Sequence, residues 1–171
     1  VGIVIDPGVG ELIWHLRERP GPGPAGQVFR YGSAVDVPVT GDWDGDGRDG
    51  IGFVRQNGDH VQWHLRDQAS AGPTQRVFDN GVWVIDVPIF GDWNGTGHDG
   101  IGNVHGDGDQ LLWLLNDDPD ASSEETSFHY GDPTRDFPQT ADFDGDERDE
   151  PAFLRTTAAG SWEWHARDAP S

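Results

Sequence analysis

A nine-residue acidic loop recurs three times at fixed spacing, and this spacing constrains the chain more than any other feature. The copies are Asp42-Trp43-Asp44-Gly45-Asp46-Gly47-Arg48-Asp49-Gly50, Asp92-Trp93-Asn94-Gly95-Thr96-Gly97-His98-Asp99-Gly100 and Asp142-Phe143-Asp144-Gly145-Asp146-Glu147-Arg148-Asp149-Glu150. Asp42 to Asp92 and Asp92 to Asp142 are each 50 residues. Self-similarity at such a period marks a repeat architecture, in which each unit covers its neighbour's apolar face.

Other landmarks keep the same phase. Trp14, Trp63, Trp113 and Trp164 occupy equivalent places in the runs Glu11–Arg17, Val61–Arg66, Leu111–Leu115 and Trp162–Arg167. A polar segment of variable sequence follows each of the first three runs, at 18–26, 67–74 and 116–126. Next comes a stretch containing Phe29, Phe78 or Phe128, then Asp36-Val37-Pro38, Asp86-Val87-Pro88 or Asp136-Phe137-Pro138. Asn57-Gly58 and Asp107-Gly108 are hairpin signals. The runs are β-branched, aromatic and alternating, and no long helical period appears. Proline in the first residues of a strand is compatible with a sheet. Each repeat therefore supplies about four short strands, the sequence form of a propeller blade.

The loops are built like metal ligands. Calcium takes about six to eight oxygens, and a tight loop can offer side-chain oxygens at positions 1, 3 and 5 and a backbone carbonyl at 7. Glycine at position 6 lets the chain turn with φ > 0. The first loop has Asp42, Asp44, Asp46, Gly47 and the carbonyl of Arg48. The second has Asp92, Asn94, Thr96 and the carbonyl of His98, with fewer charges and weaker binding expected. The third has Asp142, Asp144, Asp146 and the carbonyl of Arg148, with Glu147 in the glycine's place. Asp and Gly also dominate ordinary turns, but three copies in phase favour the metal.

Strand-like flanks on both sides exclude a helix-flanked calcium hand. Through Gly-Asp-Trp-Asp-Gly-Asp-Gly, the preceding Asp-Val-Pro and the following Ile-Gly, the chain resembles the integrin-type FG-GAP or VCBS calcium-binding β-propeller repeats. The resemblance spans nearly the whole chain. It implies an all-β propeller, and in that family position 9 of the loop carries a carboxylate ligand. Here position 9 is Gly50, Gly100 and Glu150, while Asp49, Asp99 and Asp149 stand at position 8. Both positions are therefore candidates for the last ligand. The expected organisation is one repeat domain over 1–171: a partial blade at 1–35, blades at 36–85 and 86–135, and a partial blade at 136–171. It forms either a four-bladed ring with incomplete end blades or part of a larger propeller.

Composition narrows the partners. With 11 Lys+Arg against 31 Asp+Glu the formal charge is −20, which opposes nucleic acid and anionic membranes. No apolar run approaches the roughly 20 residues of a membrane span. The 8 Trp and 8 Phe, many in phase, argue against disorder. Zero cysteines exclude a disulfide framework or a thiol nucleophile. The start at Val1-Gly2-Ile3 with no methionine reads as a processed or excised product.

The repeated tryptophans read as core between blades, whereas Trp83 and Trp162 lack counterparts and are candidates for exposed contacts. His15, His64 and His165 are equivalent and spread apart by the repeat, which disfavours a zinc site. No nucleophile elbow, zincin motif or phosphate loop is present, so no enzyme is expected. The expected function is an extracellular, secreted or cell-surface binding module for carbohydrate or a cell-surface protein, with structural calcium. The alternative is a self-assembling subunit of a surface layer or filament, a homo-oligomer joined through open terminal strands.

Overall fold

The computed structural model describes residues 2–6, 8, 10–120, 125–157 and 159–167. Residues 121–124 of the third variable segment and the last residues, 168–171, lie outside the described residues. The chain is all-β, in four antiparallel sheets that follow one another in sequence. The first holds β1 (Gly2–Ile5), β2 (Glu11–Leu16) and β3 (Gln27–Ser33). The second holds β4 (Val37–Gly41), β5 (Gly50–Asn57), β6 (His60–Arg66) and β7 (Arg76–Val82). The third holds β8 (Val87–Gly91), β9 (Gly100–Asp107), β10 (Gln110–Asn116) and β11 (Thr126–His129). The fourth holds β12 (Asp136–Ala141), β13 (Glu150–Thr156) and β14 (Trp162–Ala166). Each sheet is a meander and resembles a propeller blade. The acidic loops connect β4 to β5, β8 to β9 and β12 to β13.

Register explains the sequence landmarks. Val54 faces Trp63 across β5 and β6, and Trp63 faces Phe78 across β6 and β7. The same rows are Val4-Trp14-Phe29 and Val104-Trp113-Phe128. In each row the two rings are nearly parallel, with centroids 6.4, 6.5 and 6.0 Å apart in chain order. The buried indole N–H groups of Trp14, Trp63 and Trp113 donate to the carbonyls of Tyr31, Asn80 and Tyr130 at 2.8, 3.1 and 2.7 Å. In the first two sheets that carbonyl lies at a register shift in the outer strand, and the bulge turns it toward the ring. The next residue, Gly32, has φ +92°, and a Cβ there would meet Phe53 at 3.1 Å. A side chain would be strained and would also intrude on the next sheet.

One face of each sheet packs on the opposite face of the next. Trp14 and Tyr31 of the first sheet enclose Ile51 and Phe53 of the second. Trp63, Val54 and Leu65 of the second enclose Ile101 of the third, with Phe90 packed against them. Tyr130 of the third meets Phe153 of the fourth at 4.8 Å. The first strands β4, β8 and β12 lie side by side, and Thr140 Oγ1 donates to the Phe90 carbonyl at 2.8 Å. Two aromatic expectations need correction. Trp83 packs against the core cluster of the second sheet, while Trp164, placed in the core by phase, is 56% exposed. The physical reason is that, among the described residues, no sheet lies against the fourth on that side.

The aspartate of each Asp-x-Pro step is a structural anchor. Asp36 accepts from Arg55 Nε and Nη2 at 2.8 and 2.7 Å, and from the Ser33 N–H at 2.6 Å. Asp136 repeats this with Arg155 at 2.6 and 2.6 Å and the Asp132 N–H at 2.7 Å. Asp86 takes His105 Nδ1 at 2.6 Å instead. These carboxylates tie the turn before each sheet's first strand to its second strand. Asp36→Ala leaves the Ser33 N–H without its acceptor and a partly exposed guanidinium without its partner, and should cost about 1–2 kcal/mol in chemical denaturation. A loss within about 0.5 kcal/mol, the range of ordinary surface changes, would contradict the anchor role.

Candidate metal centres

Each acidic loop curls around its own first aspartate. Asp42 accepts the N–H groups of Asp46 at 3.1 Å and Gly47 at 2.7 Å. Asp92 accepts those of Gly95, Thr96 and Gly97 at 2.8, 3.1 and 2.6 Å. Asp142 accepts those of Gly145 at 2.7 Å and Glu147 at 3.2 Å. The sixth position needs φ > 0 in every copy: Gly47 has 81°, Gly97 76° and Glu147 71°. Glu147 is the one non-glycine residue with positive φ among the described residues.

This curl gathers the carboxylates. One oxygen each from Asp42, Asp44 and Asp46 lies within 4.8 Å of the others, and so does one each from Asp142, Asp144, Asp146 and Glu150. Two oxygens bound to one calcium at about 2.4 Å can be no more than about 4.8 Å apart. Both clusters could therefore hold a metal ion such as calcium. The second loop keeps the curl but offers one carboxylate, Asp92, beside Asn94 and Thr96. Glu150 at position 9 also accepts the Phe143 N–H at 2.8 Å. Burial first, then the charges of Asp144, Asp146 and Asp142, push its carboxyl above the usual range.

Position 8 does something else. Asp99 Oδ2 accepts the Asp42 N–H of the preceding loop at 2.7 Å, and the Asp99 N–H donates to the Asp42 carbonyl at 2.9 Å. Asp149 repeats the pair with Asp92, at 2.8 Å for both bonds. The second and third loops are thus each clamped to the first ligand position of the loop before. Position 7 adds to the seam: His98 Nε2 lies 2.7 Å from the Trp43 carbonyl. A Cβ on Gly95 would come within 3.0 Å of Arg148 Cγ. Gly41 and Gly91 make room for the clamps, since a Cβ there would sit 2.8 Å from Asp99 Oδ2 or 2.7 Å from Asp149 Oδ2.

Sequence reasoning left this clamp out. Its signal was the aspartate kept at position 8 in all three copies, with glycine before the first two loops. The exposed Asp49 lines a shallow cavity of about 280 Å³ together with Asp99 and Asp149, at the ends of the first strands. Burial first, then the charges of Asp149, Asp49 and Asp92, raise the Asp99 carboxyl to about 6, against the lowering effect of the Asp42 N–H. Burial raises Asp149 likewise.

Comparisons with family models, curated proteins and solved structures found no match. The geometry alone therefore carries the functional reading. It also generates a test within the third loop. Left-handed backbone costs a side-chain-bearing residue about 1–2 kcal/mol. Glu147→Gly should relieve that strain and raise stability by about 1 kcal/mol in chelator, read from the denaturation midpoint. An unchanged or lowered midpoint would contradict strain at this position.

Proposed function

We propose that this chain is a non-catalytic, extracellular calcium-binding module built as a propeller of the FG-GAP or VCBS type, with structural calcium. One observation carries the reading: the carboxylate clusters lie on the same loops that clamp one sheet to the next. An ion in such a loop neutralises charge at the seam and fixes how neighbouring sheets stack. Asp42, Asp44, Asp46 and the Arg48 carbonyl are the proposed first site. Asp142, Asp144, Asp146, Glu150 and the Arg148 carbonyl are the proposed third. Asp92, Asn94, Thr96 and the His98 carbonyl form a weaker second site, because neutral oxygens hold a hard cation less strongly.

The proposed partner is a glycan or cell-surface protein, met by the variable segments. Two of them are held in fixed shapes by arginines at the ends of the tryptophan strands. Arg66 donates to the carbonyls of Ser70, Pro73 and Ala71 at 2.9, 2.8 and 3.2 Å. Arg17 donates to those of Pro22 and Gly23 at 3.0 and 3.2 Å, and to that of Gly21. Loops ordered before binding lose less entropy on binding, which is what a recognition surface needs. Among the described residues no helix is long and apolar enough to cross a membrane.

A glycan array probed in calcium and again in chelator tests the partner class. The reading expects a small set of calcium-dependent hits, weakened when residues 67–74 are replaced by a Gly/Ser linker. An array without calcium-dependent hits would contradict the carbohydrate reading.

A further inference from the structure

Three Asn-Gly steps occur in the chain, at Asn57-Gly58, Asn80-Gly81 and Asn94-Gly95. Glycine after asparagine leaves the next backbone nitrogen unshielded by a Cβ, so that nitrogen can reach the side-chain Cγ and close a five-membered imide. The fold treats the three steps differently. Asn57 Nδ2 donates to both carboxylate oxygens of Asp79 at 3.2 Å, which draws it across the sheet. Asn80 is half-buried, its Oδ1 bonded to Asn103 Nδ2 and its carbonyl to the Trp63 indole at 3.1 Å. Asn94 is exposed at position 3 of the second acidic loop. The loops on either side carry aspartate there, Asp44 and Asp144.

The loop's own hydrogen bonds prepare Asn94 for this reaction. Asn94 Oδ1 accepts the Thr96 N–H at 3.1 Å, a side-chain turn that folds the amide back over the Gly95 nitrogen. Negative charge that develops on Oδ1 during attack falls on that donor, as in an oxyanion hole. The Gly95 N–H donates to Asp92 Oδ1 at 2.8 Å, an acceptor for the proton that the nitrogen must shed. The product has a ready place. In the third loop Asp144 Oδ1 accepts the Asp146 N–H at 3.0 Å, and Asp142 Oδ1 accepts the Gly145 N–H at 2.7 Å. These are the same two bonds, made around a carboxylate that already belongs to a gathered cluster.

We propose that Asn94 is a self-modification site: it deamidates in the folded chain, and the aspartate formed supplies the carboxylate that the weak second loop lacks at position 3. The gain of a ligand rests on the calcium reading of the loops, whereas the modification itself does not. The Gly95 nitrogen gives up its proton, bonds to Asn94 Cγ and expels Nδ2, which leaves as ammonia. Water then opens the imide. Attack at Cγ breaks the new N–Cγ bond and leaves an aspartate in an unaltered backbone. Attack at the main-chain carbonyl breaks the C–N bond there and leaves isoaspartate, whose chain runs through Cβ and Cγ and no longer presents its carboxylate as Asp144 does. One water is consumed and one ammonia released, with no change of oxidation state. A calcium ion held through Asp92 and Asn94 oxygens would occupy both acceptors, so the reaction belongs to the metal-free loop.

Peptide mapping by mass spectrometry of the full chain, kept in chelator at mildly alkaline pH, follows all three steps in one sample. Asn94 should convert severalfold faster than Asn57 or Asn80, and urea should slow it by erasing the fold. Equal rates in the folded chain, a lead by either other step, or an Asn94 that urea accelerates would overturn the proposal. Asn94→Asp, titrated with calcium by calorimetry beside freshly purified chain, tests the consequence. One site should tighten about tenfold with the added charge, and aged wild type should gain that site in proportion to its aspartyl fraction. Identical titrations of the variant and the fresh chain would overturn the gain of a ligand. Conversion at Asn94 in a chain that binds no calcium, with or without Asn94→Asp, would support the modification and overturn the calcium reading of the loops.

Discussion

The rest of the structure depends on a pair of hydrogen bonds made twice, in which the aspartate at loop position 8 holds the backbone of the preceding loop's first aspartate. Asp99 holds Asp42 and Asp149 holds Asp92 through their backbone N–H and carbonyl groups. The sheets have apolar faces that no single sheet can bury, so the fold is a problem of stacking. The clamps set that stacking at one end of the second-to-third and third-to-fourth sheet junctions, while the tryptophan rows fill the body of each junction. The clamp also has an electrostatic consequence. It places Asp99 beside Asp49 and Asp149, close to loops that already gather three or four carboxylates. A chain of formal charge −20 concentrates like charges where its sheets meet, and a bound cation relieves that repulsion locally.

Much of the architecture was legible because a 50-residue period makes equivalent residues declare one another. The all-β class, the tryptophan rows and the curled loops follow from phase, alternation and Asp-Gly chemistry. Phase identifies which residues are equivalent, but it does not say what lies across a junction. For that reason position 8 read as a spare ligand, although the carboxylates of Asp99 and Asp149 are directed to the preceding loop. The anchoring of Asp36 and Asp136 by arginines also stayed hidden. It joins residues 19 apart whose pairing depends on β4–β5 and β12–β13 register. Trp164 shows the same limit from the other side, since its phase is that of a core residue and its surroundings are not. Glu147 is the converse case. The turn's demand for positive φ overrides the side chain's preference.

Calcium held by the acidic loops should stabilise the stacked sheets as a whole. Thermal melting of the full chain in excess chelator and in calcium, repeated with Asp42→Asn and Asp142→Asn together, tests this directly. Ligand at a hundredfold excess over its dissociation constant adds about 2.7 kcal/mol per site. At about 2–4 °C per kcal/mol for a chain of this size, calcium should raise the midpoint by about 5–10 °C per occupied site. The double variant should lose most of that rise. Superimposable melts of the unaltered chain with and without calcium would contradict the account.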